Sequence, residues 1–259
     1  MTGIRPGTAG DWLLIPAPQR GPAFQLFCFP HAGGDATAYT PLAHALAPLA
    51  EVRALRMPAR GGRHLDPMPS SFDALVRTVA AEVRRYRGGR FGFYGQSLGA
   101  LLAFEVARAL PPGERPELVV VAASEPPQLW AGGIPEERDA DSLLRHAGLG
   151  ELIAAEPELR QLALAAVQRD LDLRRTYRYR SRPPVECDLY AVAGDADPMV
   201  GAAQLDGWAE LTTGRFGRSI VPGGHLLATV AQPGPVELLA SVIGRAPEPL
   251  VRELQCSTP

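Results

Sequence analysis

Residues Arg90–Phe104 read as a short apolar strand, a Gly-x-Ser-x-Gly turn and an apolar helix in direct succession. The turn is Gly95-Gln96-Ser97-Leu98-Gly99. A chain that passes from strand to helix so abruptly must turn sharply, and glycine at 95 and 99 leaves room for strand and helix to crowd together. Such a turn lifts the Ser97 hydroxyl above the sheet, with backbone N–H groups beside it. By itself a pentapeptide of this kind carries little weight. Its surroundings decide, because a serine hydroxyl is a weak nucleophile that needs a base and an acid from elsewhere in the chain.

The rest of the sequence repeats the strand-then-helix rhythm. Apolar strand-like runs recur at Ala23–Phe29, Val52–Met57, Arg90–Tyr94, Leu118–Ala123, Asp188–Ala193 and Gly217–Val221. Between them, Phe72, Leu75, Val76, Val79 and Val83 keep helical spacing behind a Ser71 cap, and Leu98–Leu110 forms a second helix stopped by Pro111-Pro112-Gly113. Near-continuous apolar strands alternating with helices predict a mainly parallel sheet covered on both faces. The fold class is therefore α/β, with the arrangement of an α/β-hydrolase in which the Ser97 turn is the nucleophile elbow. At 259 residues, with 46% hydrophobic residues, the chain reads as one such domain over residues 1–259. The interval 125–184 breaks the rhythm: helical patterns at Asp139–Ala147, Leu149–Ala154 and Pro157–Tyr177, and no strand. That is too long for a plain connection, and it is expected to form a helical lid inserted over the active site.

Composition excludes several classes of function. A net charge of −2 argues against nucleic-acid binding, and the absence of lysine among the 26 basic residues rules out a lysine nucleophile or Schiff base. The three cysteines, Cys28, Cys187 and Cys256, are widely spaced, and no clustered Cys/His pattern suggests zinc. No secretory leader or membrane-length apolar run is visible, so a soluble cytoplasmic protein with no membrane partner is expected.

Among the five histidines, His225 lies in Pro222-Gly223-Gly224-His225, after the last strand and before the C-terminal helix. This gives the order nucleophile, acid, base expected of the fold. His44 and His146 fall in helical patterns and His64 precedes the nucleophile, so His225 is the expected base. For the acid, Gly194-Asp195-Ala196-Asp197-Pro198 closes the preceding strand. Asp197 is favoured because the loop must carry a carboxylate past the strand end. Asp195, as a brace, and Glu125, after the earlier strand, remain alternatives. An oxyanion hole needs two backbone donors. Leu98 N–H follows the nucleophile, and Ala32 N–H, in Phe29-Pro30-His31-Ala32-Gly33-Gly34, is the expected second.

On these residues the chain resembles the type II thioesterases, the stand-alone editing hydrolases of polyketide and nonribosomal peptide assembly lines. The resemblance runs from Trp12 through Phe29–Gly34, Tyr39, Met57-Pro58-Ala59-Arg60-Gly61-Gly62-Arg63, the Ser97 elbow, Arg169-Asp170-Leu171 and Gly194–Pro198 to Gly223-Gly224-His225. It implies a Ser97–His225–Asp197 triad acting on an acyl group carried on the phosphopantetheine thiol of an acyl or peptidyl carrier domain. It implies no metal and no cofactor. This chain has Gln96 and Leu98 where the family usually reads G-H-S-M-G, and Met57-Pro58-Ala59-Arg60 where it reads L-P-G-R. His31 and Gln96 are expected to border the acyl pocket. The cationic run Arg174–Arg182 is a candidate docking surface for an acidic carrier domain, or simply a solvated helix tail. Product release in the same pathway, a general carboxylesterase, and an inactive hydrolase scaffold that serves as a binding partner are the competing readings.

Overall fold

The computed structural model describes residues 12–47, 49–132, 139–146, 156–227 and 233–244. In chain order the elements are β1 (Leu13–Leu14), β2 (Gln25–Phe29), α1 (Thr40–Leu46), β3 (Glu51–Leu55), α2 (Phe72–Tyr86), β4 (Phe91–Gln96) and α3 (Leu98–Ala109). They continue with β5 (Leu118–Ala122), α4 (Ala140–His146), α5 (Pro157–Arg175), β6 (Asp188–Gly194), α6 (Ala202–Asp206), β7 (Phe216–Val221) and α7 (Pro233–Gly244). The seven strands form one sheet in the order β1-β3-β2-β4-β5-β6-β7. Only β1 is antiparallel, pairing Leu13 with Leu55; every other neighbour runs parallel.

The central strands alternate between two cores, as the period of two requires. Phe27, Phe29, Phe91, Phe93, Val119 and Val121 face α2 and α3, where Phe27 and Phe29 meet Phe93 edge-on. Leu26, Cys28, Tyr94, Val120 and Val192 face α1 and α7, packing with Leu42, Leu46, Leu239 and Ile243. Burial on both faces explains why these strands read as continuous apolar runs. Ser71 caps α2 by accepting from Ala74 N–H at 3.1 Å, as its position predicts.

The six expected strands and the helices of the sheet layers are present, with ends shifted by one or two residues. β1 was not foreseen, because two residues are too few to show alternation. β4 continues past Tyr94 to Gln96. Within 125–184 the described residues contain no strand; α4 and α5 fill it, and the helix expected at Leu149–Ala154 lies outside the described residues, as does Cys256. Asp139 opens α4 by accepting from Ser142 N–H at 2.7 Å. Among the described residues, no helix is long and apolar enough to cross a membrane.

Candidate active site

Ser97 stands between β4 and α3 with φ 55° and ψ −121°, a left-handed conformation that costs a non-glycine residue about 1–3 kcal/mol. The surrounding packing holds it there. Ser97 N–H donates to Ala122 C=O at 2.8 Å, fixing the turn to the neighbouring strand. A Cβ on Gly95 would run into the Gly99 carbonyl and the Ala100 Cα, and one on Gly99 into the Phe29 and Pro30 carbonyls. Both glycines are therefore required by close backbone approach; neither is at positive φ.

The loops that carry Asp197 and His225 are tied together through their backbones. After β6, Asp195 N–H donates to Val221 C=O and Ala196 N–H to Gly223 C=O, each at 2.9 Å. Gly194 packs directly under the Gly223 and Gly224 carbonyls. The Asp195 carboxylate accepts from Gly223 N–H at 2.9 Å, so it braces the loop. Asp197 takes a different partner: its Oδ2 lies 2.9 Å from His225 Nδ1, while its Oδ1 accepts from Met199 N–H at 2.9 Å. Its side chain is fully buried. A carboxylate on Nδ1 leaves Nε2 as the ring's free acceptor. Glu125 lines the cavity described next, and its backbone carbonyl accepts Trp130 Nε1–H.

One cavity, of roughly 520 Å³ with part of it open to solvent, has Ser97, His225, Ala32 and Leu98 in its wall. Leu98 N–H belongs to the first turn of α3, where the helix dipole favours negative charge. The 125–184 interval also contributes to the cavity's lining: Leu143 from α4, Leu171 and Arg174 from α5, and Trp130. The Arg174 guanidinium stacks 4.6 Å from the centre of the Trp130 ring.

Gln96 and His31 do not line this cavity, contrary to the expectation for both. Gln96 is fully buried on the α1/α7 face beneath the elbow, and its amide donates to the His225 carbonyl at 2.7 Å while its oxygen accepts from Tyr94 O–H at 3.3 Å. The reason is the length of β4: with the strand reaching residue 96, Gln96 shares a face with Tyr94 and turns away from the cavity. His31 packs against Gly34 with a buried Nδ1 that has no partner among the described residues. Burial, reinforced by the nearby His225 and then Arg60, pulls its pKa from 6.5 down to about 4. Burial pushes both thiols up, Cys187 to about 12, which keeps Cys28 and Cys187 out of the chemistry.

The cationic run is mostly engaged within the protein. Arg175 pairs with Asp172 and Arg180 with Asp73, and Arg178 donates to the carbonyls of Arg175 and Tyr177. Two residues with no expected catalytic role sit against the loop that carries Ala32: Arg60 and Asp170 form a buried ion pair beside Gly33 and Gly34. Both lie in segments that carry the family resemblance, Met57–Arg63 and Arg169–Leu171, but nothing in the sequence pairs them.

The model of the thioesterase domain matches residues 24–243. The thioesterase PikA5 of Streptomyces venezuelae is 33% identical over 224 residues, covering 84% of this chain and 80% of PikA5. Among solved structures, the type II thioesterase BorB from the borrelidin biosynthetic cluster superposes with a TM-score of 0.80 at 32% identity, covering 92% of this chain and all of BorB. The RedJ thioesterase from the prodiginine pathway of Streptomyces coelicolor gives 0.76 at 28% identity, covering 89% and 95%. The protein is an α/β-hydrolase. It belongs to the thioesterase family, and within it stands beside the type II thioesterases of polyketide and nonribosomal peptide pathways.

Proposed function

We propose that this thioesterase removes aberrant or stalled acyl groups from the phosphopantetheine thiol of acyl or peptidyl carrier domains, through a Ser97–His225–Asp197 triad. The observation that carries the reading is Ser97 and His225 on one cavity wall, with His225 Nδ1 2.9 Å from the buried Asp197 carboxylate. Asp197 holds the Nδ1–H tautomer, so Nε2 accepts the Ser97 proton as Oγ attacks the thioester carbonyl. Ala32 and Leu98 N–H groups stabilise the tetrahedral oxyanion, the thiol leaves, and His225 then activates water to hydrolyse the acyl-serine. The developing negative charge also lies at the N-terminus of α3, where the helix dipole favours it. Helices α4 and α5 serve as the lid, and their apolar wall receives the acyl chain.

The test is hydrolysis of a panel of acyl groups loaded on carrier protein. Ser97→Ala is expected to lower kcat by at least about a thousandfold, with its fold intact by circular dichroism. A fluorophosphonate should label Ser97 in the wild type. A folded wild-type protein that neither labels nor hydrolyses any of these thioesters sinks the reading, and faster turnover of simple oxygen esters than of every carrier thioester favours a carboxylesterase instead.

A further inference from the structure

Helix α5 reaches past the cavity wall to the loop that carries Ala32. Asp170, midway along it, is 1% exposed, and its two carboxylate oxygens have different partners. Oδ2 accepts from Gly33 N–H at 2.7 Å. Oδ1 receives the Arg60 guanidinium through Nη2, and Arg60 Nη1 donates to Gly34 C=O at 3.1 Å. One turn earlier on the helix, Val167 presses on Gly33 so closely that any Cβ there would overlap its Cγ2; the φ of +77° at Gly33 excludes other residues for a second reason.

The peptide plane containing Gly33 N–H shares the Ala32 Cα with the plane containing Ala32 N–H. Two soft torsions separate them, so clamping one restricts the other. Stability alone is a poor reason for this arrangement. A buried ion pair loses about as much in desolvation as it gains in attraction, and a well-packed apolar pair often does as well. What an apolar pair cannot do is direct a backbone N–H.

We propose that Asp170, backed by Arg60, is a positioning residue for the oxyanion hole: it aims Ala32 N–H at the carbonyl oxygen of the bound acyl group. Because Asp170 is carried on the same helix as Leu171 and Arg174, one element sets both the pocket wall and the electrostatic donor. This rests on the proposed role of Ser97.

The test compares the full-length wild type with Asp170→Asn, Arg60→Lys and the double variant Asp170→Leu/Arg60→Met, using a small acyl thioester of N-acetylcysteamine. Asp170→Asn should lower kcat about tenfold to a hundredfold, less than outright loss of an oxyanion donor, with KM changed less than about twofold. Arg60→Lys, which keeps the charge but loses the fork to Gly34, should fall between it and wild type. The double variant should recover thermal stability, with kcat still depressed. If its kcat recovers in step with Tm, or if Asp170→Asn keeps wild-type kcat, the pair is only a structural strut and the proposal fails; loss of fold in all three variants counts against it in the same way. An inactive wild type that also escapes fluorophosphonate labelling would instead overturn the Ser97 reading itself.

Discussion

Gln96 stands next to Ser97 in sequence, yet it serves the His225 loop. Its amide donates to the backbone carbonyl of His225, across the floor of the site and away from the acyl cavity. Gln96→Leu keeps the volume and apolar burial but withdraws that donor from a buried carbonyl. The expected loss is about 1–3 kcal/mol, read from the urea midpoint, together with a fall in kcat as the His225 loop loosens. An unchanged midpoint would show that the carbonyl finds water or another donor at no penalty. This is also where the sequence misleads. The positions of Ser97 and His225, each in a turn just past a strand end, are legible because glycines mark those turns. Asp197 was distinguished from Asp195 only by its place in the turn, and the two carboxylates do go to different partners. The orientation of Gln96 was legible in principle: extending β4 by two residues puts it on the face of Tyr94, but the glycine at 95 hid the continuation.

At the level of elements, the elbow is a point where three backbones meet. Gly99 on α3 touches the Phe29 and Pro30 carbonyls at the root of the Ala32 loop. These are backbone atoms with nowhere to move, so Gly99→Ala must lift the helix off β2 and spread Leu98 N–H from Ala32 N–H. We expect destabilisation beyond the ~1–3 kcal/mol of ordinary overpacking, read by thermal unfolding. Gly244→Ala, at the end of α7 with nothing within 4 Å among the described residues and no positive φ, is the matched control and should be neutral or slightly stabilising. A Gly99→Ala protein as stable as that control would mean that helix and loop adjust to each other freely. Helix α5 shows the complementary limit on reading elements from sequence. Its apolar periodicity predicts its existence, but its docking depends on contacts distant in the chain. Thr176 Oγ1 receives Phe72 N–H, Tyr177 packs edge-on against Phe72 and donates to Glu105, and Asp170 meets Arg60. No local pattern encodes such pairings.

For the molecule as a whole, the parallel sheet determines where chemistry gathers. Ser97, Asp197 and His225 follow β4, β6 and β7, and the Ala32 loop follows β2, so all lie beyond the carboxyl ends of neighbouring parallel strands. Concentrating polar groups at that edge has a consequence for stability in acid. His31, at the end of β2, is held neutral by burial, with His225 and Arg60 adding to the effect, so its pKa of about 4 lies well below the 6.5 of an unfolded chain. Between those values the unfolded state binds a proton that the folded state does not, so the free energy of unfolding rises with pH across this window. The stability that this neutral ring permits is fully present above about pH 6.5 and is lost progressively as pH falls towards 4. His31→Gln removes the titrating group while keeping a polar side chain. Urea unfolding of both proteins from pH 4 to 8 isolates the term, since the carboxylates common to both cancel in the difference. The stability of wild type relative to His31→Gln should be constant above about pH 7 and shift steadily against wild type below pH 6.5. A difference that stays flat to pH 4 would mean the ring takes up its proton in the folded state, and that the loop around His31 opens to admit it.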